Sequence, residues 1–171
     1  MHEHLQSPSP WVVRCSPLVA RGPVLDVASG AGRHAKFFVH KGFEVVAVDR
    51  DDQAIPGVQF VKANLEDGSP WPFAGRRFGA IVVTNYLHRP LFPAIEAGLA
   101  EGGVLIYETF MIGNERYGRP SNPNFLLRRG ELLEAFRTLA LVAFEQGDTG
   151  KAMLQRICAI RGDVTSARIA P

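Results

Sequence analysis

Residues 24–49, read with Pro23 as PVLDVASGAGRHAKFFVHKGFEVVAVD, constrain this chain more than any other stretch. Val24, Leu25 and Val27 make an apolar, partly β-branched run suited to a strand buried on both faces. Ser29, Gly30, Ala31 and Gly32 follow as a turn of small residues with permissive backbone. Ala35, Phe38, Val39 and Gly42 then fall at i, i+3, i+4 and i+7, one face of a short helix, with Gly42 where a C-cap glycine belongs. Residues 44–48 start a second buried strand, which ends in Asp49. The pattern is a βαβ unit whose turn is stripped of bulk, so a ligand can reach backbone amides at a helix N-terminus.

Gly30-Ala31-Gly32-Arg33-His34-Ala35 satisfies the G-x-G-x-x-[G/A] pattern of dinucleotide sites, a weak signal by itself. Two acids weigh against a pyrophosphate ligand. Asp26 lies in the end of the first strand, four residues before Gly30, where a dinucleotide site needs no carboxylate. A carboxylate there repels a pyrophosphate but suits an ammonium and a sulfonium nearby. Asp49, seventeen residues after Gly32, stands where a carboxylate can accept both hydroxyls of a ribose. The bland alternative makes Asp26 a solvated strand-end acid and Asp49 a turn residue. Their register with the glycines favours the ligand.

DVASGAG with Asp49 downstream resembles motifs I and II of the class I S-adenosylmethionine-dependent methyltransferases, and the resemblance extends over roughly residues 10–161. The first glycine of the family's G-x-G-x-G is Ala28 here, which is tolerated unless that position needs a positive φ. The resemblance implies S-adenosylmethionine as cofactor, S-adenosylhomocysteine as product, and a site containing Asp26, Ala28, Ser29, Gly30, Gly32 and Asp49. Ala63-Asn64-Leu65-Glu66 resembles motif III, which implies that the Asn64 side chain meets the adenine amino group and the Leu65 amide a ring nitrogen. Residues 79–84 and the following Asn85-Tyr86-Leu87-His88 take the place of motif IV beside the reactive methyl, so Asn85 and Tyr86 face the methionine part or the nucleophile. EGGVLIYE resembles the segment before the family's substrate loop and lays Glu108 over the cleft. Gly32-Arg33, Lys41-Gly42-Phe43 and the small size are similar to small-molecule methyltransferases, including the tellurite-resistance type. Arg33 pairs with the cofactor carboxylate on this view, or stays on the surface.

Composition sets bounds. With 171 residues, 46% of them hydrophobic and 21% charged, the chain is a single globular domain by prior, 1–171. A net charge of +2 marks no nucleic-acid binder. Cys15 and Cys158 have no metal or redox spacing and read as buried thiols of a cytoplasmic protein. No apolar run reaches the ~18 residues of a membrane span, and the first ten residues lack a signal peptide's character.

Along the chain, residues 1–10 read as a mobile arm, in which His2 and His4 lack a third metal ligand. Residues 11–19 suggest a short helix over the cofactor cleft, although core packing explains Trp11 equally well. Between Asp49 and a third strand at 58–62, Pro56-Gly57 leaves room for about one turn where the family carries a helix. Arg50 is placed to stack on adenine or to remain a surface arginine. Trp71, in a proline-flanked turn, reads as a loop plug on the core. His88 is either a neutral base or a cap of the next helix, expected at 91–99 and stopped by Gly102-Gly103. A fifth strand begins at Val104.

Residues 111–127 carry little helix or strand pattern and read as a substrate lid, with Arg116, Tyr117, Arg119, Asn122, Asn124 and Phe125 gripping an anionic or polar acceptor. A helix at 131–136 turns Leu132, Leu133 and Phe136 inward, residues 139–145 and 153–160 form a terminal hairpin, and 162–171 are a tail.

The expected molecule is a doubly wound, mostly parallel α/β domain of seven strands, order 3-2-1-4-5-7-6, with a terminal antiparallel hairpin and a shortened helix after the second strand. It transfers a methyl group from S-adenosylmethionine to a small-molecule acceptor by in-line displacement, with His88, Tyr86 and Glu108 at the reacting end and no metal. Three alternatives stay open: a nucleic-acid methyltransferase using Arg116, Arg119, Arg128 and Arg129 as a phosphate track, a non-catalytic cofactor-binding protein, and an NAD(P)-binding oxidoreductase.

Overall fold

The apolar runs become strands of one sheet in a computed structural model that describes residues 6–169. His2 and His4 lie outside the described residues. The strands are β1 (Val24–Val27), β2 (Val45–Asp49), β3 (Gln59–Lys62), β4 (Phe78–Thr84), β5 (Leu99–Phe110), β6 (Ala140–Asp148) and β7 (Met153–Ile160). Their spatial order is β3-β2-β1-β4-β5-β7-β6. The first five pair in parallel, whereas β7 is antiparallel to both β5 and β6. This is the expected topology, terminal hairpin included.

Alternation along each central strand divides the core into two layers. Leu25, Val27, Val46, Val48, Ile81, Val83, Leu105 and Tyr107 face one layer. It is closed by α3 (Phe92–Ala97), α4 (Glu131–Ala135) and the 63–77 connection, where Trp71 packs edge-on against Phe73 as a plug. Val24, Val45, Ala47, Ala80, Val82, Val104 and Ile106 face the other layer, under α1 (Pro10–Cys15) and α2 (Arg33–His40).

Several local expectations need correction. α1 does not lie over the cleft. Its Trp11 is buried on the back layer and donates its indole N–H to the Ile157 carbonyl at 3.2 Å, so apolar burial rather than cofactor contact places it. Ser9 and Pro10 belong to the ordered start of that helix, with the Ser9 hydroxyl accepting the Trp11 N–H. β5 begins at Leu99, five residues earlier than expected, because Gly102-Gly103 forms a bulge and not a stop. Gly102 has φ +77°, and a Cβ on Gly103 would meet the Ala100 carbonyl oxygen at 2.7 Å. In α4, Leu132 and Phe136 are buried but Leu133 is exposed. Cys15 and Cys158, distant in sequence, are both buried free thiols, on α1 and β7.

The helix between β2 and β3, expected to be shortened to about a turn, is absent altogether. Ile55 substitutes for it in part: buried, it sits so close to the glycine turn that a Cβ on Gly32 would lie 2.5 Å from its Cδ1. Among the described residues no helix is long and apolar enough to cross a membrane.

Candidate active site

The carboxyl ends of β1 to β5 open into one cavity of about 630 Å³, inside the range of roughly 300–1,000 Å³ typical of small-molecule sites. One end is walled by Ala28, Gly30, Asp49, Arg50, Asp51, Gln53, Ala63, Asn64 and Leu65, from the ends of β1, β2 and β3. The other end is walled by Glu66, Asn85, Tyr86, Leu87, Thr109 and Phe110, with Pro120 and Phe125 reaching over from the 111–127 loop.

The glycine turn is held by acids. Asp49 accepts the Gly30 N–H on Oδ2 at 2.9 Å and the Asp51 N–H on Oδ1 at 3.0 Å. Each oxygen keeps a lone pair for a hydroxyl from the cavity. Asp26 is 1% exposed and does not wall the cavity. Its Oδ2 accepts the Ala35 N–H at 3.1 Å, tying β1 to the first turn of α2. Burial pushes its carboxyl up to about 7, against the pull of that hydrogen bond. Asp26 Oδ1 and the Ser29 hydroxyl are buried with no partner, one on each side of the turn's start. Such orphaned polar atoms are rare and fit a site completed by a polar ligand. Ala28 has φ 53° and Asn85 φ 53°, so the alanine in place of the family's glycine does occupy a position that needs the left-handed conformation.

Where the two ends meet after β3, the Asn64 side-chain oxygen accepts the Glu66 N–H at 3.0 Å. Glu66 lies 3.6 Å from Nδ1 of His88, which stands behind it and caps no helix through its side chain. Burial and the Glu66 carboxylate raise the Tyr86 phenol above its ordinary value, so Tyr86 is a hydrogen-bond donor and not a base. Its backbone is fixed by the buried Tyr107, whose hydroxyl donates to the Tyr86 carbonyl at 2.8 Å.

With this geometry in place, comparison with solved structures is informative. TehB from Haemophilus influenzae superimposes with a TM-score of 0.73 at 14% identity, over 90% of this chain and 62% of that one. The chain thus spans about 62% of the TehB length. The 1,6-didemethyltoxoflavin-N1-methyltransferase of Burkholderia thailandensis gives 0.63 at 18% identity, over 90% and 76% of the two chains. The glycopeptide N-methyltransferase MtfA gives 0.59 at 18% identity, over 88% and 86%. This chain has the class I methyltransferase fold. No protein-family model matches the sequence, and no curated protein matches it.

Within the methyltransferase fold several expected residues are diverted. Glu108 does not wall the cavity. It is 6% exposed, ion-paired with Arg156, and accepts the Ser9 hydroxyl at 2.6 Å. Val104 and Ile106 of β5 face the back layer, and Glu108, two residues further on, falls on the same side, which removes it from the reacting end. Arg33 donates to the Ser7 carbonyl at 3.1 Å. Arg116 is ion-paired with Asp148 on β6 and Tyr117 donates to the same carboxylate at 2.6 Å, so neither lines the cavity. The 111–127 loop is pinned at several points. Met111 bridges to Leu127, and buried Asn114 donates to the Pro120 carbonyl and accepts the Met153 N–H. Arg119 faces a shallower depression next to the cavity, sharing with it Phe110, Pro120 and Phe125.

Sequence reading missed two supports. Arg89, from the turn after β4, binds Glu131 through Nε and Nη2 at 2.6 and 2.9 Å and also donates to the Asn124 and Leu126 carbonyls. His34 accepts the Ser9 N–H on Nε2 at 3.0 Å and lies 3.3 Å from the Thr84 hydroxyl through Nδ1. We assign the ring proton to Nδ1, since Nε2 must accept. Burial and the Arg33 charge hold the imidazole down to about 3, hence neutral. Partners this far apart leave no local sequence signal, although the polar Ser9 and His34 beside apolar runs were visible.

Proposed function

We propose that the protein is an S-adenosylmethionine-dependent methyltransferase acting on a small-molecule acceptor. The observation that carries this reading is the Asp49–Gly30 hydrogen bond at the mouth of a cavity running across the ends of β3, β2, β1, β4 and β5. MtfA has been solved with S-adenosylmethionine, S-adenosylhomocysteine and sinefungin, and the toxoflavin enzyme with S-adenosylhomocysteine and its substrate, which supports the same ligand for the same fold.

On this reading Asp49 takes the ribose hydroxyls, Arg50 and the Asn64–Leu65 pair flank adenine, and the Ala28–Gly30 backbone receives the methionine part. Asp26 acts from beneath: it sets the turn through the Ala35 N–H and keeps its second oxygen free below the methionine part. When bound, the cofactor supplies an electrophilic methyl group on a sulfonium, an already activated leaving group. The protein therefore needs to position and desolvate an acceptor. Asn85 and Tyr86 border that end, and Tyr86 orients the acceptor by donation. The Glu66–His88 pair receives a proton where the acceptor carries one.

Calorimetric titration with S-adenosylmethionine, S-adenosylhomocysteine and NADH tests the reading. Micromolar binding of the first two, lost in Asp49→Ala, is expected. Binding of NADH alone would turn the assignment to an oxidoreductase, and failure of all three would mean that the site is not a cofactor site in this chain alone.

A further inference from the structure

The cavity's outer end is built differently from the rest, and this tells what sits there. Phe110, Pro120 and Phe125 wall both the main cavity and an adjoining depression of about 480 Å³, completed by Arg119, Ser121 and Asn122. The two spaces therefore meet at an apolar step. Phe125 is 50% exposed, yet its turn is rigidly held. Asn122 caps the turn by accepting the Asn124 N–H at 2.9 Å, and Arg89 grips the carbonyls on either side of the ring. An exposed aromatic ring on a fixed backbone is prepared for a partner, because little entropy is lost when one arrives.

Charge narrows the partner. Asp49, Asp51 and Glu66 border the main cavity with Arg50, and Arg119 is the cation of the depression. Arg116, which would have offered an anion a second grip, is committed to Asp148. At the end where the step lies, the Glu66 carboxylate offsets the Arg119 guanidinium, which leaves no net positive charge to favour an anionic ligand. The faces presented are rings, which favour flat π partners by offset or edge-on contact. An exposed guanidinium such as Arg119 stacks on the same kind of ligand.

We infer that the step formed by Phe110, Pro120 and Phe125 is the acceptor's seat, and that it takes a flat, uncharged aromatic or heteroaromatic small molecule. The inference rests on the methyltransferase reading of the adjoining cavity.

Saturation-transfer NMR and calorimetry on protein loaded with S-adenosylhomocysteine test it, with quinolin-4-ol as the flat neutral probe, cyclohexanol as the non-planar one and phenyl phosphate as the anionic one. Quinolin-4-ol is expected to bind about tenfold more tightly than either control. Phe125→Ala should weaken it about tenfold and Phe125→Trp should preserve it, with S-adenosylhomocysteine affinity the same in all three proteins. Equal affinity for phenyl phosphate would overturn the substrate class, and indifference to Phe125→Ala would overturn the seat. Should wild-type protein fail to bind S-adenosylhomocysteine, the methyltransferase reading falls. Phe125-dependent binding of quinolin-4-ol would still sustain the ring seat in that case.

Discussion

At the scale of single residues, two positions in the glycine turn are under opposite demands. Ala28 carries φ 53°, a conformation costing a non-glycine residue about 1–2 kcal/mol, whereas glycine there loses up to about 1 kcal/mol through the unfolded chain. Ala28→Gly should therefore raise stability by about 0.5 kcal/mol, measured by urea unfolding. Gly32→Ala should cost about 2 kcal/mol in the same assay, since φ +84° and the Ile55 side chain both oppose a Cβ. Two buried titratable groups make a sharper test. The Asp26 carboxyl, raised to about 7, keeps a proton in the folded state that the unfolded chain releases from about pH 4, so its contribution to stability falls as pH rises through that window. The His34 imidazole, lowered to about 3, refuses a proton that the unfolded chain binds below about pH 6.5, so its contribution grows with rising pH. Each amounts to about 2 kcal/mol between pH 4.5 and 6.5, and in the wild type they oppose one another. Asp26→Asn should unmask a rise of about 2 kcal/mol over that interval, and His34→Gln a fall of similar size. Parallel flat profiles in both variants would contradict the two assignments. The glycines and both turn acids were legible in the sequence. That Asp26 would be sealed beneath the turn was not, because burial depends on how α2 closes over β1.

At the scale of elements, the connections decide the shape of the site. Arg89 ties the turn after β4 to the start of α4 and to the end of the 111–127 loop, joining three segments through one guanidinium. Removing it leaves Glu131, 4% exposed, with only its Arg128 contacts. Arg89→Ala should cost about 2 kcal/mol and speed hydrogen exchange across residues 123–127, and Arg89→Lys should not restore protection because a point charge cannot reproduce the fork. Unchanged exchange in that segment would show that the loop is held from elsewhere. Position in the chain, after the fifth strand, marked residues 111–127 as a functional loop, and Phe125 with Pro120 does reach the cavity. The same reading sent Arg116 and Tyr117 to the substrate, where the fold sends them to Asp148. A hydrogen bond across 31 residues and an ion pair across 32 depend on how the terminal hairpin folds back, and nothing local encodes them.

At the scale of the whole molecule, a net charge of +2 and the pairing of Arg116 with Asp148 and Arg128 with Glu131 break up the basic track that a nucleic-acid substrate would require. Binding to a short single-stranded RNA should accordingly be weak, and log K against log salt should be shallow, with a slope of about −1 or smaller in magnitude, in place of the steep dependence of a protein that neutralises many phosphates. The order of the sheet was implied by the resemblance to the class I methyltransferases, and the buried strands, the βαβ turn and the last hairpin followed from the sequence, being local patterns with periods of 2 and 3.6 residues. So did the acids and small residues at the strand ends, because a parallel sheet gathers the carboxyl ends of its strands on one edge wherever the chain brings them. The tertiary structure alone decided which polar side chains face that edge. Glu108 was turned from the cleft by the alternation of β5 and met Arg156, Ser9 reached it from before the first helix, and Phe125 was carried to the rim by a loop that Arg89 holds. Sequence specifies local conformation because neighbouring residues share a backbone. The partner of a buried charge is whichever opposite group the packed chain brings within reach, and that is a property of the fold.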